Sequence, residues 1–123
     1  MKIILYGEFT DLNKYINAER SNRFIGAKIK KQNTDNALKQ LTKKNVVENY
    51  PVNISFTWYT KDIRVDPDNI SFAKKYILDA LVTKGILKND TRKFIKGFQD
   101  MFEVDAKNPR VEILLSEYKQ IEK

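Results

Sequence analysis

The chain has 123 residues, no Cys, no His and a formal charge of +7, with 23 Lys and Arg against 16 Asp and Glu. This length predicts a single domain over residues 1–123, and the missing residue types exclude disulfides, thiolate nucleophiles, most zinc sites and histidine-based catalysis. Any catalysis must therefore depend on carboxylates, lysines, hydroxyls or a metal ion held by oxygen, and the positive charge favours an anionic partner such as nucleic acid.

The N-terminal segment predicts one short strand. Residues 3–6 form a continuous apolar run, which is typical of a strand covered on both faces. Residues 7–15 are polar and predict an irregular connection. No apolar run is long enough for a membrane span or a signal peptide, so we expect a cytoplasmic protein that makes no membrane contact.

A helix and a second strand are expected next. The helix is predicted to begin at Ser21 or Asn22 and to carry an apolar stripe towards Val46, with residues 33–36 a weak point that could bend or break it. Residues 52–59 alternate apolar and polar side chains, which predicts a strand with one buried face. Trp58 lies on the apolar side of that alternation, so we expect it in the core rather than stacked on a base.

The second helix has the clearest boundaries in the sequence. Asp66 and Pro67 are suited to the N-cap and the first helical position, and Gly85 after Lys84 is suited to a left-handed C-terminal cap. Two strands over residues 94–104 and 111–118 are expected to follow, joined by a hairpin turn over residues 105–109. The order β-α-β-α-β-β predicts an α+β domain with a four-stranded mixed sheet packed on two helices.

The positive charge is concentrated in one segment. Residues 14–44 contain nine basic and two acidic side chains, which gives this segment the whole net charge of +7. A surface that only needs solubility more often mixes the two signs. The segment is therefore interpreted either as a phosphate-contacting surface or as a well-solvated helix face.

Acidic residues flank the second predicted helix. Asp66 and Asp68 lie at its start and Asp90 lies just beyond its end. Magnesium prefers oxygen ligands and commonly takes one or two carboxylates together with substrate phosphates. These residues are either a metal site or, on spacing alone, a helix cap followed by a turn.

The length of the predicted helix determines which of these residues can lie close together. At about 100° per residue, Asp68, Lys75 and Asp79 share one stripe, so Lys75 could contact a phosphate or simply form an ion pair with Asp79. Asp90 is separated from the other two acids by roughly 25 Å of helix. A returning loop or an intertwined dimer would be needed to bring all three carboxylates together.

Four short motifs carry a family resemblance. They are Leu12-Asn13-x-Tyr15, Arg64-x-Asp66-x-Asp68-Asn69, Lys75-x-x-x-Asp79-Ala80-Leu81 and Lys84-Gly85-Ile86-Leu87-x-Asn89-Asp90. The combined pattern resembles the RusA family of Holliday junction resolvases, small endonucleases of bacteria and their phages, and in particular a phage and Gram-positive subgroup. The resemblance spans most of the chain.

The resemblance implies an intertwined homodimer that introduces paired nicks into four-way DNA junctions with Mg²⁺, for which Mn²⁺ can substitute. It places the acidic residues at Asp66, Asp68 and Asp90 and the functional lysine at Lys75. The gap after Asp68 is longer than in the best-known family form, which leaves Lys74 as a rival to Lys75. Asn89 also stands where that form has an acidic residue.

Three functional hypotheses follow. The first is a magnesium-dependent junction endonuclease of DNA recombination and repair, whose DNA backbone contacts come from Arg20, Arg23, Lys28, Lys30 and Lys31. The second is a non-catalytic basic nucleic-acid-binding module, in which the acidic residues only cap a helix. The third is a nuclease with the same site that acts on flaps or plain duplex.

Overall fold

The computed structural model describes residues 1–119. Its strands are β1 (Lys2–Tyr6), β2 (Val52–Thr60), β3 (Ile95–Val104) and β4 (Arg110–Glu117). Its helices are α1 (Leu12–Ser21), α2 (Arg23–Gln40), α3 (Pro67–Ser71) and α4 (Lys74–Lys84). The α+β class is confirmed, but four helical segments are found where two helices were expected. None of the described helices is both long and apolar enough to cross a membrane.

The four strands form one mixed sheet in the order β1-β4-β2-β3. β4 is antiparallel to both β1 and β2, whereas β2 and β3 are parallel. The predicted hairpin over residues 105–109 is therefore wrong, because β2 lies between β3 and β4. The turn instead carries the chain across the end of β2, where the Asp105 N–H donates to the Thr60 carbonyl at 2.8 Å.

One face of the sheet forms the core. The alternating residues of β2, from Val52 to Trp58, are buried, and the β4 residues paired with them in register share that face. Tyr76, Ile77, Ala80 and Leu81 of α4 complete the same cluster. The opposite face leaves large side chains exposed to solvent. β1, at the edge of the sheet, is therefore buried on one side only, and the prediction that both of its faces are covered is wrong.

The polar segment before the basic region is partly helical. Asp11 caps α1 by accepting from the Lys14 N–H at 2.9 Å, and Asn22 caps α2 by accepting from the Phe24 N–H at 2.8 Å. The prediction of an irregular connection through residue 15 is therefore wrong for its last four residues. The α2 start is as expected, but the helix ends at Gln40, short of Val46.

The predicted weak point in α2 proves to be a point of attachment. Asn33 is buried, accepts from the Thr10 N–H and donates to the Thr10 hydroxyl and the Ile29 carbonyl. A buried amide with all these partners stabilises the helix locally instead of competing with it. The helix runs unbroken through residues 33–36.

The second predicted helix is divided near its middle. α3 and α4 are separated by Phe72 and Ala73, both in right-handed conformation, and the Ala73 and Tyr76 N–H groups make the shorter three-residue hydrogen bonds. Such a tight turn rotates the chain faster than an α-helix does. The single helix on which the stripe from Asp68 to Lys75 was predicted is therefore interrupted between these two residues. The left-handed cap at Gly85 is confirmed, with φ of 80°.

Candidate functional site

Two of the predicted acidic ligands lie together at the start of α3. Asp66 occupies the N-cap position, but its side chain makes no capping hydrogen bond, and Asp68 follows in the first turn. Both side chains are exposed, and within residues 1–119 neither carboxylate takes part in an ion pair. The capping role that sequence alone allowed for Asp66 is absent, so its oxygens are available to another group.

The third predicted ligand lies beyond the opposite end of α4. Asp90 is half-exposed, and its N–H donates to the Asn89 side chain in the turn after the helix. The 11 residues of α4 alone span about 16 Å. Over residues 1–119, no three acidic side chains converge closely enough to hold a metal ion. Among residues 1–119 of one copy, Asp66 and Asp68 thus lie together at the start of α3, and Asp90 lies beyond the end of α4.

The two rival lysines have different surroundings. The Lys74 ammonium donates to Asp100 Oδ2 at 2.6 Å, lies 4.5 Å from the Phe98 ring centre and belongs to a side chain only 17% exposed. Asp100 also accepts from the Trp58 indole N–H at 2.9 Å. Lys74 therefore ties α4 to the sheet. The burial of Trp58 confirms its predicted place in the core.

Lys75 points to solvent and to a groove. Its side chain is 55% exposed and forms an open ion pair with Asp79 at 3.6 Å, as the sequence suggested. It also lines a groove between α1, α2 and α4, together with Lys30 of the basic segment. Lys30, which was predicted to bind DNA, and Lys75, the predicted functional lysine, therefore line the same groove. Asp68 does not line it.

The basic residues predicted to bind DNA are all exposed. Arg20 lies in the last turn of α1, and the others lie on α2: Arg23, Lys28, Lys30 and Lys31. Lys31 forms an ion pair with Asp35 at 3.1 Å, and the Arg23 guanidinium lies 5.3 Å from the Phe24 ring centre. Since α1 and α2 are joined at Asn22, this charge is displayed by one helical hairpin.

Sequence reasoning missed a second cavity next to the acidic pair. It lies between the end of β2 and α3, and Asp62, Val65 and Ile70 are among its lining residues. Asp11 and Arg110 reach it from α1 and β4. Only the fold brings these segments together, so no local sequence pattern could have revealed it.

Two phenols near the groove have perturbed acidity. Burial raises the pKa of Tyr76 to about 12, with smaller contributions from Tyr15 and Asp11. A hydrogen bond to Glu19 raises the pKa of Tyr15. The Tyr76 hydroxyl is buried and has no hydrogen-bond partner among the described residues.

Comparison of the chain with protein-family models gives no match, and comparison with curated proteins gives none either.

Proposed function

We propose that the chain is a magnesium-dependent endonuclease that nicks four-way DNA junctions as a homodimer, in the manner of the RusA family it resembles. The observation that supports this most is the exposed pair Asp66 and Asp68 on α3, which leads into α4. On α4, Lys75 shares a groove with Lys30 of α2. Carboxylates without cationic partners beside a basic surface are costly near DNA unless a cation screens them. We expect the protein to work in the cytoplasm.

The third carboxylate is assigned to a second copy of the chain. Asp90 lies beyond α4 and is not grouped with Asp66 and Asp68 in one copy. An intertwined dimer places Asp90 of one subunit beside the acidic pair of the other, and its two-fold symmetry suits a substrate with two equivalent strands. Bound Mg²⁺, or Mn²⁺ in its place, would supply charge neutralisation at the phosphate.

The roles of the chain's own residues follow from their positions. Lys75 is favoured over Lys74 as the functional lysine, because the Lys74 ammonium is occupied by Asp100 at 2.6 Å while Lys75 stays accessible. The basic residues of α1 and α2 hold the DNA backbone: Arg20, Arg23, Lys28, Lys30 and Lys31. Their contacts give affinity without sequence selection, and this affinity falls steeply with salt.

A nicking assay with a synthetic four-way junction and Mg²⁺ tests the proposal. We expect paired nicks with 5′-phosphate ends from the wild type and a loss of about 100-fold in rate for Asp68→Asn, the size expected for a key electrostatic group. DNA binding by Asp68→Asn is expected to persist. Glu48→Gln, which removes an exposed negative charge from the loop before β2, is the matched control and should nick normally.

The non-catalytic binding module is the second candidate. The exposed basic residues of α1 and α2 favour it, because they can contact DNA phosphates without any metal ion. It predicts junction binding with no product at any Mg²⁺ concentration. The third candidate is a nuclease with the same site that prefers flaps or plain duplex to junctions. Nicking rates compared on junctions, flaps and plain duplex distinguish it from the junction endonuclease.

A further inference from the structure

The groove between α1, α2 and α4 combines positive charge with aromatic rings. It is open to solvent on one side and has a volume of about 340 Å³, within the range of small-ligand pockets, roughly 300–1,000 Å³. Five residues line it: Tyr15, Lys30, Phe72, Lys75 and Tyr76. Two of them carry positive charge, three are aromatic, and none is acidic.

The aromatic residues form a connected cluster. The ring centres of Tyr15 and Phe72 lie 5.4 Å apart, and those of Phe72 and Tyr76 lie 5.7 Å apart in an edge-to-face arrangement. Tyr76 is 1% exposed and anchors the cluster in the core, whereas Tyr15 and Phe72 are half-buried. Part of each outer ring therefore remains accessible in the groove, held in place by the rings behind it.

The charges come from two different helices. Lys30 projects from α2 and Lys75 from α4. Among residues 1–119, the ion-pair partner of Lys75 is the half-exposed Asp79, at 3.6 Å. Exposed pairs of this kind contribute little, so an incoming phosphate can compete with Asp79 for Lys75. Two lysines converging on an aromatic surface match a ligand with one anionic group and one flat face.

We propose that this groove binds one unstacked nucleotide of a DNA strand, with its phosphate between Lys30 and Lys75 and its base against Tyr15 and Phe72. Proteins that hold single-stranded nucleic acid combine basic grooves with aromatic stacking in this way. This proposal rests on the proposed function, because it takes DNA as the partner. It adds that the groove binds a strand that is unpaired at a branch point. It needs no metal ion.

Binding in the presence of EDTA tests this assignment apart from catalysis. The probes are a fluorescent single-stranded oligo(dT) and a blunt duplex of the same length. We expect Lys30→Ala to lower oligo(dT) affinity about 10-fold and Tyr15→Leu to lower it about 5- to 10-fold, in the range for a lost stacking contact. Duplex affinity should change by no more than about twofold for either variant, because Lys30→Ala removes one phosphate contact among several and Tyr15→Leu removes none.

Matched controls separate the groove from general electrostatics. Lys39→Ala removes the same charge from the same helix outside the groove, and Phe24→Leu removes an aromatic ring that is 72% exposed on α2. Both should keep oligo(dT) affinity within about twofold of wild type. Equal losses for Lys30→Ala and Lys39→Ala would overturn the proposal.

Photo-crosslinking gives a direct readout that does not depend on stability. An oligo(dT) strand with a single 5-iododeoxyuridine should crosslink to Tyr15 or Phe72, as mapped by mass spectrometry. Crosslinks confined to other aromatic residues, such as Phe24, would contradict the proposal, and tighter binding of oligo(U) than of oligo(dT) would overturn the assignment to DNA. If junctions are not nicked but these results hold, only the proposed catalysis fails.

Discussion

Replacing Lys74 by methionine should destabilise the protein far more than the same change at the next residue. Lys74 and Asp100 are 17% and 22% exposed, and their charged atoms lie 2.6 Å apart. Lys75 and Asp79 are 55% and 30% exposed, with their charged atoms 3.6 Å apart. Methionine keeps most of the aliphatic chain in both variants, so the comparison isolates the charge.

The expected size of the effect follows from burial. Breaking a fully buried ion pair costs about 3–5 kcal/mol, and an exposed pair contributes about 0–1 kcal/mol. The Lys74 pair lies between these limits, and its ammonium also loses the contact with the Phe98 ring, worth about 0.5–1 kcal/mol. We expect Lys74→Met to lower the free energy of unfolding by about 2 kcal/mol, and Lys75→Met to change it by less than about 0.5 kcal/mol.

Urea denaturation at neutral pH measures both variants, with the slope of the transition as the check that compactness is unchanged. A double-mutant cycle of Lys74→Met with Asp100→Asn should give a coupling energy of about 1–2 kcal/mol. Equal stabilities for Lys74→Met and Lys75→Met would refute the reasoning. In the junction assay, Lys75→Met should lose nicking while remaining as stable as the wild type.

Three further predictions concern stability. Tyr76 has a buried hydroxyl with no hydrogen-bond partner among the described residues, so Tyr76→Phe should leave stability within about 0.5 kcal/mol of wild type or raise it, and a thermal-melt loss above about 1 kcal/mol would contradict this. Asn33→Leu leaves the Thr10 N–H without its partner and should cost about 2 kcal/mol in urea denaturation. Lys2, and then Arg110, lower the pKa of Glu112 below its ordinary value of 4.5, so its stabilising contribution is present above that pH and is lost as pH falls through the folded-state pKa. Glu112→Gln should therefore show a shallower loss of stability below about pH 4.5, and an unchanged acid profile would argue against the pair.

Local patterns in the sequence were enough to predict the α+β class, the alternating strand β2 and the glycine-capped end of α4. These features depend on short-range rules: side-chain alternation, capping chemistry and glycine conformation. The helix α1 was missed because its residues are mostly polar. Its start depends on one capping hydrogen bond, which the Asp11 carboxylate accepts from the Lys14 N–H. The hairpin predicted between β3 and β4 is wrong because β2 lies between them, and no local signal in the sequence records that long-range pairing.

The candidate site shows the same division. Spacing and the family resemblance predicted Asp66, Asp68 and Lys75 as site residues, and that assignment stays a prediction. The sequence could not show that Lys74 is paired with Asp100, because these residues lie 26 positions apart. The convergence of Lys30 and Lys75 likewise depends on the packing of α2 against α4. The length of the predicted helix implied that Asp90 lies far from Asp66 and Asp68. Among residues 1–119 of one copy, these three carboxylates are not grouped into a metal site.

Mixing two inactive variants tests the central claim most directly. Asp68→Asn and Asp90→Asn are unfolded together, refolded as a mixture and assayed for junction nicking with Mg²⁺. If each site takes Asp66 and Asp68 from one subunit and Asp90 from the other, about half the dimers are mixed and each of these has one intact site. Total nicking should then return to about a quarter of the wild-type rate at the same protein concentration. Refolding each variant alone gives the baseline. A mixture that binds junctions and forms mixed dimers yet stays at that baseline would contradict the account.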